Sequence, residues 1–261
     1  MSSWAIWGLL RHELMQYASN KKQLASLVVG IFVIIGAAGL PIVGMFVERE
    51  GTELRLLDSL QQRFPGYSDE VLLVGGAAEM ILSFTLLFCC GFWTAFLGAS
   101  AIASEKDQRT LESLLSLPVS DREILLGKVI PTALLPLATC WFCCGLAVTI
   151  LIFVIPSEPL RLLLNSRLMM TALVTAPAVA VMIGFGATIP SVLVADTEAA
   201  QKFCVLPALG VMTGFLLLYA KYVIFGHRSV VSVTLCVLAL DVVLFSIAVR
   251  LFNRERLLLK Y

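Results

Sequence analysis

Long runs without a single charge constrain this chain more than any motif does. From Val129 to Ile155, and again from Leu168 to Val194, there is no Asp, Glu, Lys or Arg. Each run exceeds the roughly 20 apolar residues that a helix needs to cross a bilayer. Inside hydrocarbon the backbone must bond to itself, and an open chain does so as helices. Apolar residues make up 59% of the sequence and charged ones 14%, far from the balance of a soluble domain. The expected fold class is therefore all-α, a polytopic membrane protein.

Hydropathy places six spans at about residues 24–47, 77–104, 129–155, 168–194, 203–219 and 229–252. Pro136 is expected to interrupt the third. Residues 1–23 read as a helix lying in the membrane plane, because Trp4, Trp7, Leu10, Leu14 and Tyr17 share a stripe that Arg11, His12, Glu13 and Gln16 avoid. The apolar run that follows is too long for a signal peptide and lacks a small-residue cleavage site. Residues 48–76 form an outer loop, with Leu54, Leu57 and Leu60 at helical spacing and a turn at Pro65-Gly66. With the N-terminus inside, most of the 19 Lys and Arg also lie inside. That bias puts both termini, and the polar stretch 105–128, in the cytoplasm.

The stretch 105–128 reads EKDQRTLESLLSLPVSDREILLGK. Leu111, Leu114 and Leu115 fall on one face of a short helix. Ser104-x-x-Asp107 is expected to cap its start and Pro118 to end it. Ser120-x-x-Glu123 is a capping box that opens a second helix leading into the next span. By periodicity alone, the leucine face suits a headgroup boundary as well as a protein groove.

The order of residues carries more. Glu105, Thr110-Leu111-Glu112, Leu114-Leu115, Pro118-Val119 and Leu126-Gly127-Lys128 resemble the signature of ABC-2 type transporter permeases, with Arg109 standing where many members have glycine. The resemblance implies that this segment is a coupling helix docking into an ATPase, with Glu105, Arg109, Thr110, Leu111, Glu112, Leu114, Leu115 and Pro118 at the contact. It further implies two ATPase subunits, which bind the ATP and Mg, and a second permease copy or a homologous permease. The setting it implies is a bacterial or archaeal cytoplasmic (inner) membrane, with substrate moving outward.

This chain should hold no cofactor, metal or catalytic centre of its own. Gly127-Lys128 is no P-loop, since Arg122 and Val129 occupy positions that need Gly and Ser or Thr. A formal charge of +1 without a basic patch excludes nucleic acid as a partner and leaves membrane lipids. His12 and His227 lie outside the spans, so no Ser–His or Cys–His pair is expected at membrane depth. Cys140-x-x-Cys143-Cys144 has neither a nearby His nor a second cysteine pair beside it, and reads as buried small apolar packing.

Two further features stand out. Asp241 sits mid-way along the sixth span, where a carboxylate costs roughly 2.5–3.5 kcal/mol on insertion scales. It suits either a hydrogen bond to a neighbouring helix or the translocation path; an ion-coupled secondary transporter using Asp241 is the alternative to an ATP-driven permease. Gly210-x-x-x-Gly214 would permit close helix approach at a dimer seam.

Overall fold

The computed structural model describes residues 66–107, 120–154, 166–194, 199–204 and 227–251, together with Gly8, Arg11, Met15, Gln61, Arg161, Leu164 and Gly210. Its long helices are α1 (Asp69–Asp107), α2 (Asp121–Val154), α3 and α4 (His227–Leu251). Helix α3 starts as Ser166–Met170, widens into a π-helical turn at Thr171–Thr175 and continues as Ala176–Leu193. No strand occurs among the described residues. All four helices are long and apolar enough to cross a membrane, over Ile81–Lys106, Asp121–Ile150, Arg167–Ser191 and Val231–Arg250. They correspond to the second, third, fourth and sixth expected spans. The first span, the interfacial helix apart from Gly8, Arg11 and Met15, the leucine-spaced stretch around Leu57 and most of the fifth span lie outside the described residues.

Three local expectations are corrected. Helix α1 runs without a break through Ser104 to Asp107, so Ser104 caps no helix start. Its amide belongs to a ladder already in progress, and capping serves only the orphan amides of a first turn. Helix α2 continues past both Pro131 and Pro136, so Pro136 does not interrupt it. A spanning helix tolerates the missing N–H because the ladder continues on either side and neighbours cover the freed carbonyl. At the other end, α1 begins at Asp69, so residues 69–76, read as loop, are its first two turns. The turn before it holds, with Gly66 at φ +120°, a conformation that favours glycine.

The helix ends sort by direction. The C-terminus of α1, the N-terminus of α2 and the C-termini of α3 and α4 meet in one cluster built from Ile102, Ile124, Leu125, Val129, Phe185 and Ala248. Helix α2 is thus antiparallel to the other three.

Small residues let α1 and α3 approach closely. A Cβ added to Gly98 would stand 3.0 Å from the Ala187 Cβ, and one on Gly184 would stand 3.0 Å from Val129 Cγ1. Lipid offers no hydrophobic drive for helices to associate, so contact of this kind supplies much of the packing energy. The larger cluster above joins α1, α2 and α3 through Leu87, Cys90, Cys140, Val179 and Ala180.

Candidate functional site at the root of segment 105–128

The start of α2 is fixed by its own sequence. Ser120 is the N-cap: its Oγ accepts the Glu123 amide at 3.3 Å, and its amide donates to Glu123 Oε2 at 2.9 Å. The reciprocal pair closes two otherwise orphan donors, as the Ser-x-x-Glu spacing predicts. The first turn also carries Asp121, an acid at the positive end of the helix.

Further along α2, Lys128 Nζ donates to Glu105 Oε1 at 2.7 Å. The side chains are 3% and 17% exposed, respectively, so the pair is largely desolvated. It ties the last turn of α1 to α2 and closes the base of the segment between them. Next to it, Lys106 Nζ donates to the carbonyl of Val194, the C-cap of α3, at 3.0 Å. A cation there meets the negative end of the helix dipole. Ser191 Oγ accepts from the amides of both Ile102 and Ala103, at 3.0 and 2.9 Å. A hydroxyl oxygen has two lone pairs and can take both. Three helix ends are therefore bonded together at one level of the bundle.

Of the expected coupling residues, Glu105 is at this root. Arg109, Thr110, Leu111, Glu112, Leu114, Leu115 and Pro118 lie outside the described residues. Lys128 enters the sequence reading only as part of the motif, and Lys106, Ser191 and Val194 are given no site role in it. The readable signal is the run Gly98-Ala99-Ser100-Ala101, small residues at the end of a span.

Of the other expected sites, Asp241 lies apart from the root. Asp241 is half-buried on the face of α4 that carries Thr234, Val237 and Ala248, all buried. Its Oδ1 is buried and has no hydrogen-bond partner among the described residues. At Gly210 an added Cβ would meet nothing within 4 Å, and Gly214 lies outside the described residues. The Cys140-x-x-Cys143-Cys144 group packs with a cysteine distant in sequence: Cys89, Cys140, Cys143 and Cys144 line one cavity of about 20 Å³ with Leu82, Thr85 and Leu86. Cys90 and Cys140 face each other. Adjacency across α1 and α2 is invisible in the sequence. No three of the described His, Cys, Asp or Glu residues are placed to hold a metal.

The π-helical turn of α3 has a local cause. Ala176 donates to Thr171, one residue beyond the α-helical partner, and Pro177 has no amide to offer either Ala172 or Leu173. The Ala172 carbonyl is left without a donor from its own helix. Trp141 Nε1 of α2 supplies one at 2.9 Å. On the other side, Thr175 and Thr234 share a buried hydroxyl–hydroxyl bond of 2.9 Å that joins α3 to α4.

A family comparison decides what this bundle is. Residues 7–228 match the model of the ABC-2 family transporter protein. The chain belongs to the ABC-2 transporter family. It is thus the permease part of an ABC transporter, a multi-pass membrane protein rather than an enzyme, and the family works with an ABC ATPase subunit. No curated protein matches it. Within this ABC-2 permease, the root described above flanks the segment whose motif carried the resemblance.

Proposed function

We propose that this chain is the membrane subunit of an ATP-driven exporter, and that residues 105–128 receive the motion of a separate ATPase. The leucine face of Leu111, Leu114 and Leu115 fills an apolar groove on that partner. Arg109 and Glu112 border the contact, with Thr110 and Pro118 shaping the helix, and give register more than affinity, while Glu105 stays behind the contact, held by Lys128 at the root. Two permease copies, or this chain and a homologous permease, pair with two ATPase subunits that hold ATP and Mg. ATP binding closes the ATPase pair, the segment moves, and the path between the permeases changes the side it faces. Both chain termini lie in the cytoplasm of a bacterium or archaeon, beneath its inner membrane.

One observation supports this reading above others: both ends of the segment are joined by the buried Glu105–Lys128 pair at the point where three helix ends are bonded together. A segment rooted in this way can transmit a load. The test is a tagged purification from native membranes in mild detergent, with mass spectrometry of the bound chains. Wild type should bring down a P-loop ATPase. Leu114→Asp should reach the membrane in equal amount and lose the ATPase, because a buried charge in an apolar groove is unpaired there. A homo-oligomer that carries no ATPase would refute the reading.

A further inference from the structure

The bonds at the root of the segment converge on α3, a helix that the segment does not itself join. Ser191 holds two amides of α1, Lys106 of α1 holds the last carbonyl of α3, and Gly184 brings the α3 backbone against Val129 of α2. The Glu105–Lys128 pair locks the two helices that grip α3 to one another. Ala176–Leu193 is therefore held at its lower end as part of one body with the root.

Its upper end is different. At Thr171–Thr175 the ladder changes register, and Pro177 leaves the Ala172 carbonyl to Trp141 of another helix. A π-helical turn with an interrupted ladder is where a helix changes direction most readily.

We propose that Glu105–Lys128 is the positioning pair for coupling. It makes the two ends of the segment move together, so displacement by the ATPase is delivered to Ala176–Leu193, which then swings about the π-helical turn at Thr171–Thr175. This rests on the docking reading above. The pair acts through α1 and α3 and touches no nucleotide. Its contribution is a contact of defined length and direction, which an apolar pair of similar volume does not reproduce. Replacing both partners together avoids leaving one buried charge unpaired, so folding is spared.

The test uses the permease–ATPase complex in lipid nanodiscs, with and without ATP, Mg and orthovanadate, read by hydrogen–deuterium exchange across residues 171–193. Wild type should change its protection there on vanadate trapping. Glu105→Leu/Lys128→Met should keep the bound ATPase and the trapped nucleotide but lose that change. Glu105→Lys/Lys128→Glu, which restores the pair with its charges exchanged, should recover it. The proposal is overturned if wild type shows no change across 171–193, if the apolar double variant keeps the wild-type change, or if the exchanged pair assembles and stays silent. Failure of both variants to bind the ATPase would make the pair a determinant of folding and would also overturn it. Where only the apolar variant fails to assemble, the exchanged pair decides. A wild-type chain that binds no ATPase refutes the docking reading instead, so the two failures are told apart.

Discussion

The two halves of this bundle are built on different terms. At the root, α1, α2 and α3 meet through a buried ion pair, a lysine on a helix terminus, a serine that takes two amides and a glycine crossing. Away from the root lie a thiol-lined cavity, a π-helical turn, and buried polar atoms on Thr85, Trp93 and Asp241 that find no hydrogen-bond partner among the described residues. Polar groups in a membrane interior are expensive unless bonded. The first half meets that cost with directed bonds, which make it stiff. The second has fewer such bonds among the described residues, Thr175–Thr234 and Trp141–Ala172, beside those three unpartnered atoms. A transporter needs both: one region that carries force without yielding, and another that yields.

If the root is stiff because its charges are paired, breaking one partner should have the largest effect of all. Lys128→Met leaves the largely desolvated Glu105 without that cation, at a cost of about 3–5 kcal/mol. Thermal unfolding in detergent should show it, and adding Glu105→Leu should restore most of the loss. A single variant as stable as wild type would mean that water or another partner serves Glu105, and that the ion pair is not what stiffens the root.

Glycine at the crossing comes next. Gly98→Val places a Cβ 3.0 Å from the Ala187 Cβ, and neither atom can rotate away because both are fixed to the backbone. The helices must separate, with an expected loss of about 3 kcal/mol, at the upper end for overpacking. The same substitution at Gly186, where an added Cβ meets nothing within 4 Å, should change stability little. Equal losses at the two positions would show that helix propensity, not the crossing, sets the effect.

Much of this contrast is readable in the sequence, but unevenly. Features set by neighbours along the chain are legible. The Ser120–Glu123 box sits where its spacing puts it, and four of the spans are helices. The same local logic fails at Ser104, because a capping pattern says nothing about whether a helix has already begun. At Pro136 it treats a residue that breaks isolated helices as one that breaks spanning helices. The ion pair is beyond reach for a different reason. Glu105 and Lys128 are 23 positions apart, and only the antiparallel packing of α1 on α2 sets their distance. The thiol cavity hides in the same way, since Cys89 and Cys140 share nothing along the chain. Pro177 does signal a change in α3, but not which carbonyl is orphaned or that Trp141 takes it.

A smaller effect is expected at that carbonyl. Trp141→Phe keeps an aromatic ring in place and removes the donor to Ala172. The loss should be about 1–2 kcal/mol, the cost of leaving one carbonyl without its donor where lipid supplies no replacement. Trp141→Phe should also raise hydrogen exchange at Ala176, whose amide closes the π-helical turn. Unchanged exchange would show that Pro177 alone holds the turn, and that α2 has no part in it.

The smallest effect has the opposite sign, which makes it the sharpest test of the contrast. Thr94, Thr132 and Thr188 donate back to carbonyls of their own helices at 2.7–2.9 Å, whereas the Thr85 hydroxyl oxygen is buried at the thiol-lined cavity with no partner among the described residues. Removing a bonded hydroxyl costs stability, while removing an unbonded one relieves a desolvation penalty. Thr94→Val should therefore lose about 1 kcal/mol, and Thr85→Val should gain somewhat less than that. Both substitutions preserve the shape and the β-branch, so helix propensity cancels between them. A gain at Thr85 would establish that the yielding half carries unrelieved cost in its resting form. A loss of the same size as at Thr94 would mean that the hydroxyl is bonded to something held in the cavity, and the next step would be to extract and identify it.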